Sequence, residues 1–320
     1  MKRRLRFALA ATLAACLPSV IVSAKLPLSE QEIRSDDVAV TLIDLTPRFL
    51  DFYEKAAKPG VTPDQRFALW EELYGFAAVP PTPEGKTIAR RLLDEAWDRY
   101  PAALDVIRRG AGGMQPSPDA VANEVRRVLG HEGPFSLRYV VYVGGFEGNA
   151  FTAGQGGVPM IAMPVEMASD MRRRTLRHEM THAVHGAVTG LSGGWERSIA
   201  QTIISEGLAM HTARSFEPDM PENLFIEHKP GWLAGVMPKA PEILRGIAPH
   251  LASSDSATVL RFTMGKGTTG AEREAYVAGW LVVGHWLKQG RTLADIARIP
   301  EAEMVTEVGR AIAELQTAES

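Results

Sequence analysis

Apolar residues recur at three- and four-residue steps through much of the first 130 residues, which is the spacing of amphipathic helices. The positions concerned are Leu42, Leu45, Phe49, Phe52 and Tyr53 and, further on, the stretches 65–76 and 84–100. Prolines punctuate the breaks between these stretches. The pattern predicts several short helices from residue 36 onward. We interpret residues 25–130 as a helical N-terminal subdomain, in which 25–35 form an exposed linker.

A different pattern begins near residue 133. Residues 137–143 are mainly β-branched and aromatic, which favours a strand. Loop glycines follow, and a second apolar run over Val158–Pro164 predicts another short strand. Because Pro159 and Pro164 cannot donate hydrogen bonds to a neighbouring strand, we expect this strand at the edge of a sheet.

Helical spacing returns after the second predicted strand and continues to the C-terminus. The predicted helices cover 166–188, 196–214, 272–288 and 300–315. Gly190 is expected to end the first of them, since glycine readily adopts the left-handed conformation that closes a helix. The chain is therefore predicted to be α+β and mainly helical, with a second domain over residues 131–320.

The first 24 residues have the parts of a secretory signal peptide. Basic residues precede an apolar run over 7–17, and Val22-Ser23-Ala24 supplies the small residues of a cleavage site. The apolar run is shorter than the ~20 residues of a membrane-spanning helix. We therefore expect removal of residues 1–24 and export to the periplasm or the medium. As an alternative, Leu13-Ala14-Ala15-Cys16 resembles the lipobox of bacterial lipoproteins, which would anchor the protein to a membrane through Cys16.

Composition limits the chemistry that the chain can perform. Its 320 residues carry a formal net charge of -3 without a long basic stripe, so nucleic acid is not expected as a partner. Cys16 is the only cysteine. A mature chain that begins after residue 24 therefore has no disulfide, no cysteine nucleophile and no cysteine-ligated metal. Any metal must be held by histidine and carboxylate side chains.

The strongest candidate site is His178-Glu179-Met180-Thr181-His182, inside a predicted helix. Histidines at positions i and i+4 lie on one helix face, one turn apart, where neutral imidazoles can bind one zinc ion. Glu179 projects beside the open coordination position and can take a proton from a water activated there. The motif therefore predicts His178 and His182 as metal ligands and Glu179 as the general base.

A catalytic zinc needs a third protein ligand, and the sequence offers three candidates. His185 shares the helix face but lies about 10 Å along the axis from His178, so a supporting role suits it better. Glu196 lies in a glycine-rich stretch. Glu206 interrupts an apolar helix, where a carboxylate is costly unless it is paired or bound to metal. We therefore favour Glu206 as the third ligand, with His185 and Glu196 as alternatives or supporting residues.

The motifs together resemble the gluzincin branch of the zincin metallopeptidases, in which a second helix after H-E-x-x-H carries Glu-Gly-Leu-Ala. More narrowly, the chain is similar to a family of predicted zinc-dependent proteases marked by H-E-x-x-H-x-x-H, a later E-G-L-A and a later tyrosine near glycine. The matching segments here are His178 to His185, Glu206-Gly207-Leu208-Ala209 and Tyr276-Val277-Ala278-Gly279. They fall within residues 144–290, about half the chain.

The resemblance implies a zincin fold with one zinc ion per chain, in which a small sheet lies against the metal-binding helix. The edge strand of that sheet would pair with an extended peptide or protein substrate. The residues expected in the edge strand are Val158, Met160, Ile161 and Ala162. The resemblance also implies a tyrosine or histidine that stabilises the oxyanion. Tyr276 is the best match, and His211 and His285 are weaker alternatives.

The chain departs from the family patterns at two points. Some gluzincins carry an aspartate four residues after the ligand glutamate, where this chain has Met210, so Glu196, His211 or a backbone carbonyl must orient the ligands instead. The Gly-x-Met-Glu-Asn loop of aminopeptidases is absent. The expected function is that of an exported zinc peptidase. The alternative is a catalytically inactive zinc-binding envelope protein that holds peptides or partner proteins on its edge strand.

Overall fold

The structure is a computed structural model, which describes residues 27–155, 157–191 and 197–318. The predicted signal peptide, Cys16 and Glu196 lie outside these residues. The strands are β1 (Ser29–Ser35), β2 (Val38–Asp44), β3 (Phe135–Tyr142), β4 (Phe151–Gln155) and β5 (Val158–Pro164). The α-helices are α1 (Thr46–Ala56), α2 (Pro63–Leu73), α3 (Pro83–Ala96), α4 (Tyr100–Arg109), α5 (Pro118–Leu129), α6 (Ser169–Thr189), α7 (Ile199–Ser215), α8 (Asn223–Ile226), α9 (Trp232–Val236), α10 (Ala240–Ile247), α11 (Ser256–Thr263), α12 (Glu274–Lys288), α13 (Leu293–Ala297) and α14 (Glu301–Ala318). The predicted α+β class with mainly helical content is confirmed.

The five strands form one mixed sheet in the order β1-β2-β3-β5-β4. The central pairs β2 with β3 and β3 with β5 are parallel, whereas the outer strands β1 and β4 run antiparallel to their neighbours. Helices connect the parallel strands β2 and β3, as a parallel crossover requires. In the described part of the chain, the outer edge of β4 pairs with no other strand.

The prediction that Val158–Pro164 forms the sheet edge is wrong, because β5 lies between β3 and β4. Its prolines stand near the ends of the strand, where they disturb the ladder least: Pro159 pairs with Gly154, and Pro164 is the last residue. The predicted edge residues Met160, Ile161 and Ala162 are buried, as expected of a strand covered on both faces. The edge strand is β4.

The prediction of a linker and a helix before residue 45 is also wrong, because β1 and β2 are strands. In β2, Val38 and Val40 are buried and the residue between them is partly exposed, which is the alternation of a strand. The apparent helical spacing joined Leu42 at the end of this strand to Phe49 in α1. The pairing partner that defines β2 lies in β3, about a hundred residues away, so no local pattern announces it.

The helices α1 to α5 confirm the helical prediction for most of residues 46–130. They are fixed to the sheet by tyrosine hydroxyls: Tyr74 donates to the carbonyl of Val143 and Tyr100 to that of Gly144, each at 2.9 Å. One hydrophobic core runs from these helices through the sheet to α7. The sheet and the core therefore continue across the predicted domain boundary at residue 130.

Three helices carry the candidate site. α6 packs against β4, β5 and α7, and α7 packs against α12. α6 ends at Gly190 with a φ of 70°, as predicted. α7 is buried along nearly its whole length, which is typical of a helix enclosed by other elements. Within the described ranges, no helix combines the length and the apolar character needed to span a membrane.

Candidate metal centre

His178 and His182 lie side by side on α6, as their spacing predicts. Their Nε2 atoms are 3.1 Å apart, and their rings stand nearly perpendicular, with an interplanar angle of 82°. The two side chains are 20% and 15% exposed, so both are only partly accessible to water. The helix thus presents two nitrogen donors to one point.

Glu206 on α7 completes a group of three donors. Its Oε2 lies 3.4 Å from Nε2 of His178 and 3.5 Å from Nε2 of His182, and its side chain is 5% exposed. Ligand atoms about 2.0–2.1 Å from a tetrahedral metal are about 3.3 Å from each other. The observed separations fit that geometry, so this group could hold a metal ion.

The electrostatics of the pocket favour a cation. Burial by itself would raise the pKa of Glu206, but the charge on His182, hydrogen bonds to both histidines and the charge on Arg197 together hold that pKa well below its usual value. Burial also opposes the charged form of His178. Its pKa is nevertheless raised, because Glu206 accepts a hydrogen bond from it and both Glu179 and Glu206 attract its proton. A divalent metal would take the place of such protons.

Two further residues contact the candidate ligands, and sequence reasoning missed both. Nη2 of Arg197 lies 2.7 Å from Oε1 of Glu206, which leaves Oε2 facing the histidines. The Ser205 hydroxyl lies 3.0 Å from Nδ1 of His182. If Nδ1 donates to that oxygen, Nε2 keeps its lone pair for a metal. The position of Ser205 beside Glu206 was a weak signal in the sequence, and Arg197 had none.

A close helix crossing explains why Glu206 stands where it does. A Cβ added to Gly207 would lie 2.3 Å from the carbonyl oxygen of Gly279, and one added to Gly279 would lie 2.6 Å from that of Ile203. Only glycine lets the backbones of α7 and α12 approach so closely. The crossing sets Glu206 beside α12, and Tyr276 lies one helical turn before Gly279.

Tyr276 lies within the electrostatic field of the site. Burial and then the charge on Glu206 raise its pKa, with a smaller contribution from Glu179 in the same direction. The phenol is therefore neutral near pH 7 and able to donate a hydrogen bond. Among the described residues, its hydroxyl has no hydrogen-bond partner that would compete for this role.

Glu179 is tied to the edge strand. The Thr152 hydroxyl on β4 lies 2.8 Å from Oε2 of Glu179 and 2.9 Å from its backbone carbonyl oxygen. Glu179 is 8% exposed. The side chain predicted as the base is therefore held next to the sheet edge. Sequence reasoning missed Thr152 because β4 lies between glycines that indicated loops.

The other candidate histidines make different contacts. His185 is buried, its pKa is lowered to about 4 mainly by burial, and its Nε2 has no hydrogen-bond partner within the described ranges. His211 stacks on Trp280 at 4.2 Å and donates from Nε2 to the Trp280 carbonyl at 2.9 Å, so it joins α7 to α12. His285 pairs with Glu314 at 2.7 Å. None of the three belongs to the converging group.

Comparison of the chain with protein-family models, with curated proteins and with solved structures finds no match. The resemblance to the zincin metallopeptidases therefore rests on the motif residues of this chain. The structure adds the convergence of His178, His182 and Glu206, and the charges on Glu206 and Glu179 both raise the pKa of Tyr276.

Proposed function

We propose that this protein is a zinc-dependent peptidase that hydrolyses peptide bonds with Glu179 as general base, and that it acts outside the cytoplasm. The observation that carries the proposal is the convergence of two imidazole nitrogens and one carboxylate oxygen, separated by 3.1, 3.4 and 3.5 Å. A Glu held beside such a group and a neutral tyrosine nearby complete the set of groups that amide hydrolysis needs.

The donor set suits zinc. His178, His182 and Glu206 would hold the ion as two nitrogens and one oxygen, which leaves a fourth position of a tetrahedral site open. Once bound, zinc supplies Lewis acidity, which lowers the pKa of a water molecule and polarises a carbonyl group. Arg197 and Ser205 keep Glu206 and His182 in the orientation that binding requires.

The remaining chemistry belongs to side chains of this chain. Glu179 accepts a proton from the attacking water and delivers it to the leaving amine. Thr152 restricts the Glu179 carboxylate to one orientation through the 2.8 Å contact. Tyr276 donates a hydrogen bond to the oxyanion that develops on the substrate carbonyl. Burial of these groups strengthens each electrostatic interaction between them.

A peptide substrate is supported by the position of β4. Its outer edge offers backbone hydrogen-bonding groups to an added strand, the mode known as β-augmentation. Thr152 on this strand contacts Glu179, so an extended peptide added to β4 would pass beside the base. We therefore propose that the substrate pairs with β4, Phe151–Gln155, and not with residues 158–162 as expected from the sequence.

The test is a Glu179→Gln substitution in zinc-loaded protein, assayed on a peptide library. We expect hydrolysis to fall by about 100- to 10,000-fold, the range that general acid–base catalysis contributes, while zinc content stays at one per chain. A matched control is Glu314→Gln, which changes a glutamate paired with His285 away from the site. Undiminished hydrolysis by Glu179→Gln would refute the base assignment.

The same assay, applied to the unmodified protein, distinguishes the proposed peptidase from the alternative of a catalytically inactive binding protein. That alternative also uses the edge of β4, and it predicts zinc binding and peptide binding by the unmodified protein without any turnover. Cleavage that a chelator stops and added zinc restores would exclude it.

A further inference from the structure

Arg273 occupies an unusual backbone position at the start of α12. Its φ is 58°, in the left-handed region that residues with a Cβ rarely adopt. It stands three residues before Tyr276, which is itself three residues before Gly279. Arg273 caps the N-terminus of α12, one residue before its first helical residue.

The neighbouring residue holds this backbone in place. Glu274 is fully buried and accepts four hydrogen bonds, from the backbone N–H and the hydroxyl of Thr268 and of Thr269, at 2.7–3.0 Å. A Cβ added to Gly267 would lie 2.1 Å from the Glu274 carboxylate, so the loop is packed closely around it. These contacts fix the backbone position immediately after Arg273.

The Arg273 guanidinium reaches the site. It lies 4.7 Å from the ring centroid of Tyr276, in a cation–π contact. The guanidinium is therefore held against the ring of the tyrosine proposed to contact the oxyanion.

Arg273 lacks an acidic partner in the described part of the chain, unlike its neighbours. Lys229 and His228 both contact the Glu272 carboxylate. Arg273, which is partly buried, forms no ion pair with a described carboxylate. A guanidinium carries five N–H donors in a plane, and the partner that satisfies them best is a carboxylate bound through two parallel hydrogen bonds.

We propose that Arg273 binds a carboxylate of the peptide substrate next to the bond that is cleaved. The inference rests on the proposed peptidase function and deepens it. The Arg273 guanidinium carbon lies 4.7 Å from the Tyr276 ring centroid, and an extended peptide advances about 3.3 Å per residue. The carboxylate therefore belongs to a residue one or two positions from the cleaved carbonyl. It is either the C-terminal α-carboxylate or an acidic side chain.

The experiment compares matched peptides on zinc-loaded protein. One pair differs by a free or an amidated C-terminus, and a second, amidated pair differs by Glu or Gln beside the cleaved bond. We expect kcat/KM to be about 10- to 100-fold higher for the carboxylate member of one pair, as for other charge-assisted hydrogen bonds. The first pair identifies the α-carboxylate as the ligand, and the second identifies a side chain.

The variants are Arg273→Asn and Arg273→Lys. Asparagine tolerates the left-handed conformation and removes the charge, so we expect an unchanged melting temperature and loss of the preference, mainly through KM. Lysine should keep part of the preference. The matched control is Arg261→Asn, which changes an exposed arginine 5.4 Å from the Phe262 ring, and its preference should equal that of the unmodified protein.

Binding to Glu179→Gln separates this inference from the proposed function. Calorimetry on that variant should show tighter binding of the carboxylate peptides, and the added Arg273→Asn substitution should remove the difference. Equal binding and equal kcat/KM within each pair, or a preference that survives in Arg273→Asn, would overturn the inference while leaving the peptidase proposal intact. Absence of hydrolysis by the unmodified protein would overturn the peptidase proposal itself.

Discussion

Two glutamates of this protein, the buried Glu206 and the half-buried Glu166, have opposite surroundings. Glu206 on α7 faces His178, His182 and Arg197, and these groups hold its pKa well below the usual value against the effect of burial. Glu166 lies just after β5 and, among the described residues, accepts hydrogen bonds from backbone amides, those of Gly144 at 3.0 Å and Phe146 at 3.3 Å. Burial raises the pKa of Glu166 to about 7.

The difference shows how the neighbouring charges decide the protonation state of a carboxylate that is shielded from water. Glu206 is kept anionic and is aimed at two nitrogen donors, which is what a metal ligand requires. Glu166 forms no ion pair with a cation in the described part of the chain, and the charge on Glu147 adds to the effect of burial on its pKa. It fastens the loop that leads from β3 toward the edge strand β4. Glu206 is therefore suited to bind a metal ion, whereas Glu166 stabilises a loop.

Their contributions to stability have opposite pH dependence. The folded pKa of Glu166, about 7, exceeds its ordinary value of 4.5, so its stabilising contribution is complete below pH 4.5 and is lost as the pH rises through about 7. The folded pKa of Glu206 is lowered, so in metal-free protein its contribution is present above pH 4.5 and is lost as the pH falls through its folded pKa.

The largest expected effect comes from removing the charge of Glu206. In Glu206→Gln we expect zinc affinity to fall about 100- to 1000-fold, since each ligand supplies roughly a quarter of the binding free energy of a structural site, and hydrolysis to be lost. Chelator competition measures the affinity. Glu166→Gln is the control and should bind zinc normally. Equal zinc affinities of Glu206→Gln and Glu166→Gln would show that Glu206 is not a metal ligand.

The second-largest effect on zinc affinity should come from removing Arg197. This substitution takes away the cation that contacts Glu206 and that has no counterpart beside Glu166 among the described residues. We expect Arg197→Gln to weaken zinc binding by about 10- to 100-fold, the range for residues that orient ligands. Arg291→Gln provides a matched control, since Arg291 contacts Glu307 at 2.7 Å, the same distance as Arg197 to Glu206. Zinc binding that is insensitive to Arg197 would show that the histidines alone orient the carboxylate.

The pH dependence of Glu166 gives the next effect. Between pH 5 and pH 8, the free energy of unfolding of the unmodified protein should fall by about 2 kcal/mol relative to that of Glu166→Gln, because only the glutamate must ionise against burial. Urea unfolding at both pH values measures the difference. If the difference in free energy of unfolding between the two proteins stays constant with pH, the pKa of Glu166 is the same in the folded and the unfolded chain.

Ser205→Ala should give the smallest effect. It removes the oxygen 3.0 Å from Nδ1 of His182, and we expect zinc affinity to fall by about 10-fold, at the lower end for such support. Ser215→Ala, on the same helix, removes a hydroxyl that donates to Thr212 and should leave affinity unchanged. If Ser205→Ala also leaves it unchanged, the His182 ring is oriented by α6 alone.

The site was partly predictable because part of it is local. His178 and His182 are related by one helical turn, so their sequence spacing already places them together. Glu206 was found by a different signal, the cost of a carboxylate in an apolar helix. Arg197 and Thr152 gave no such signal, since their roles depend on which side chain faces them from another element.

The fold was predictable to a similar extent. Helices such as α6, α12 and α14 follow from periodicity, and β3 from its residue types. Strands β1 and β2 and the central place of β5 did not follow, because they depend on pairing between distant segments. A proline near either end of β5 was consistent with an edge strand and equally with a central one.

The amino-acid sequence by itself determined the helix that carries two imidazoles and a carboxylate, since a helical turn is a local property of the chain. Only the tertiary structure decided that Glu206 meets those imidazoles, that β4 rather than β5 forms the sheet edge, and that Arg273 turns toward Tyr276. Each of these depends on the approach of segments far apart in sequence, such as the glycine crossing of α7 and α12, and no short stretch of residues encodes such an approach.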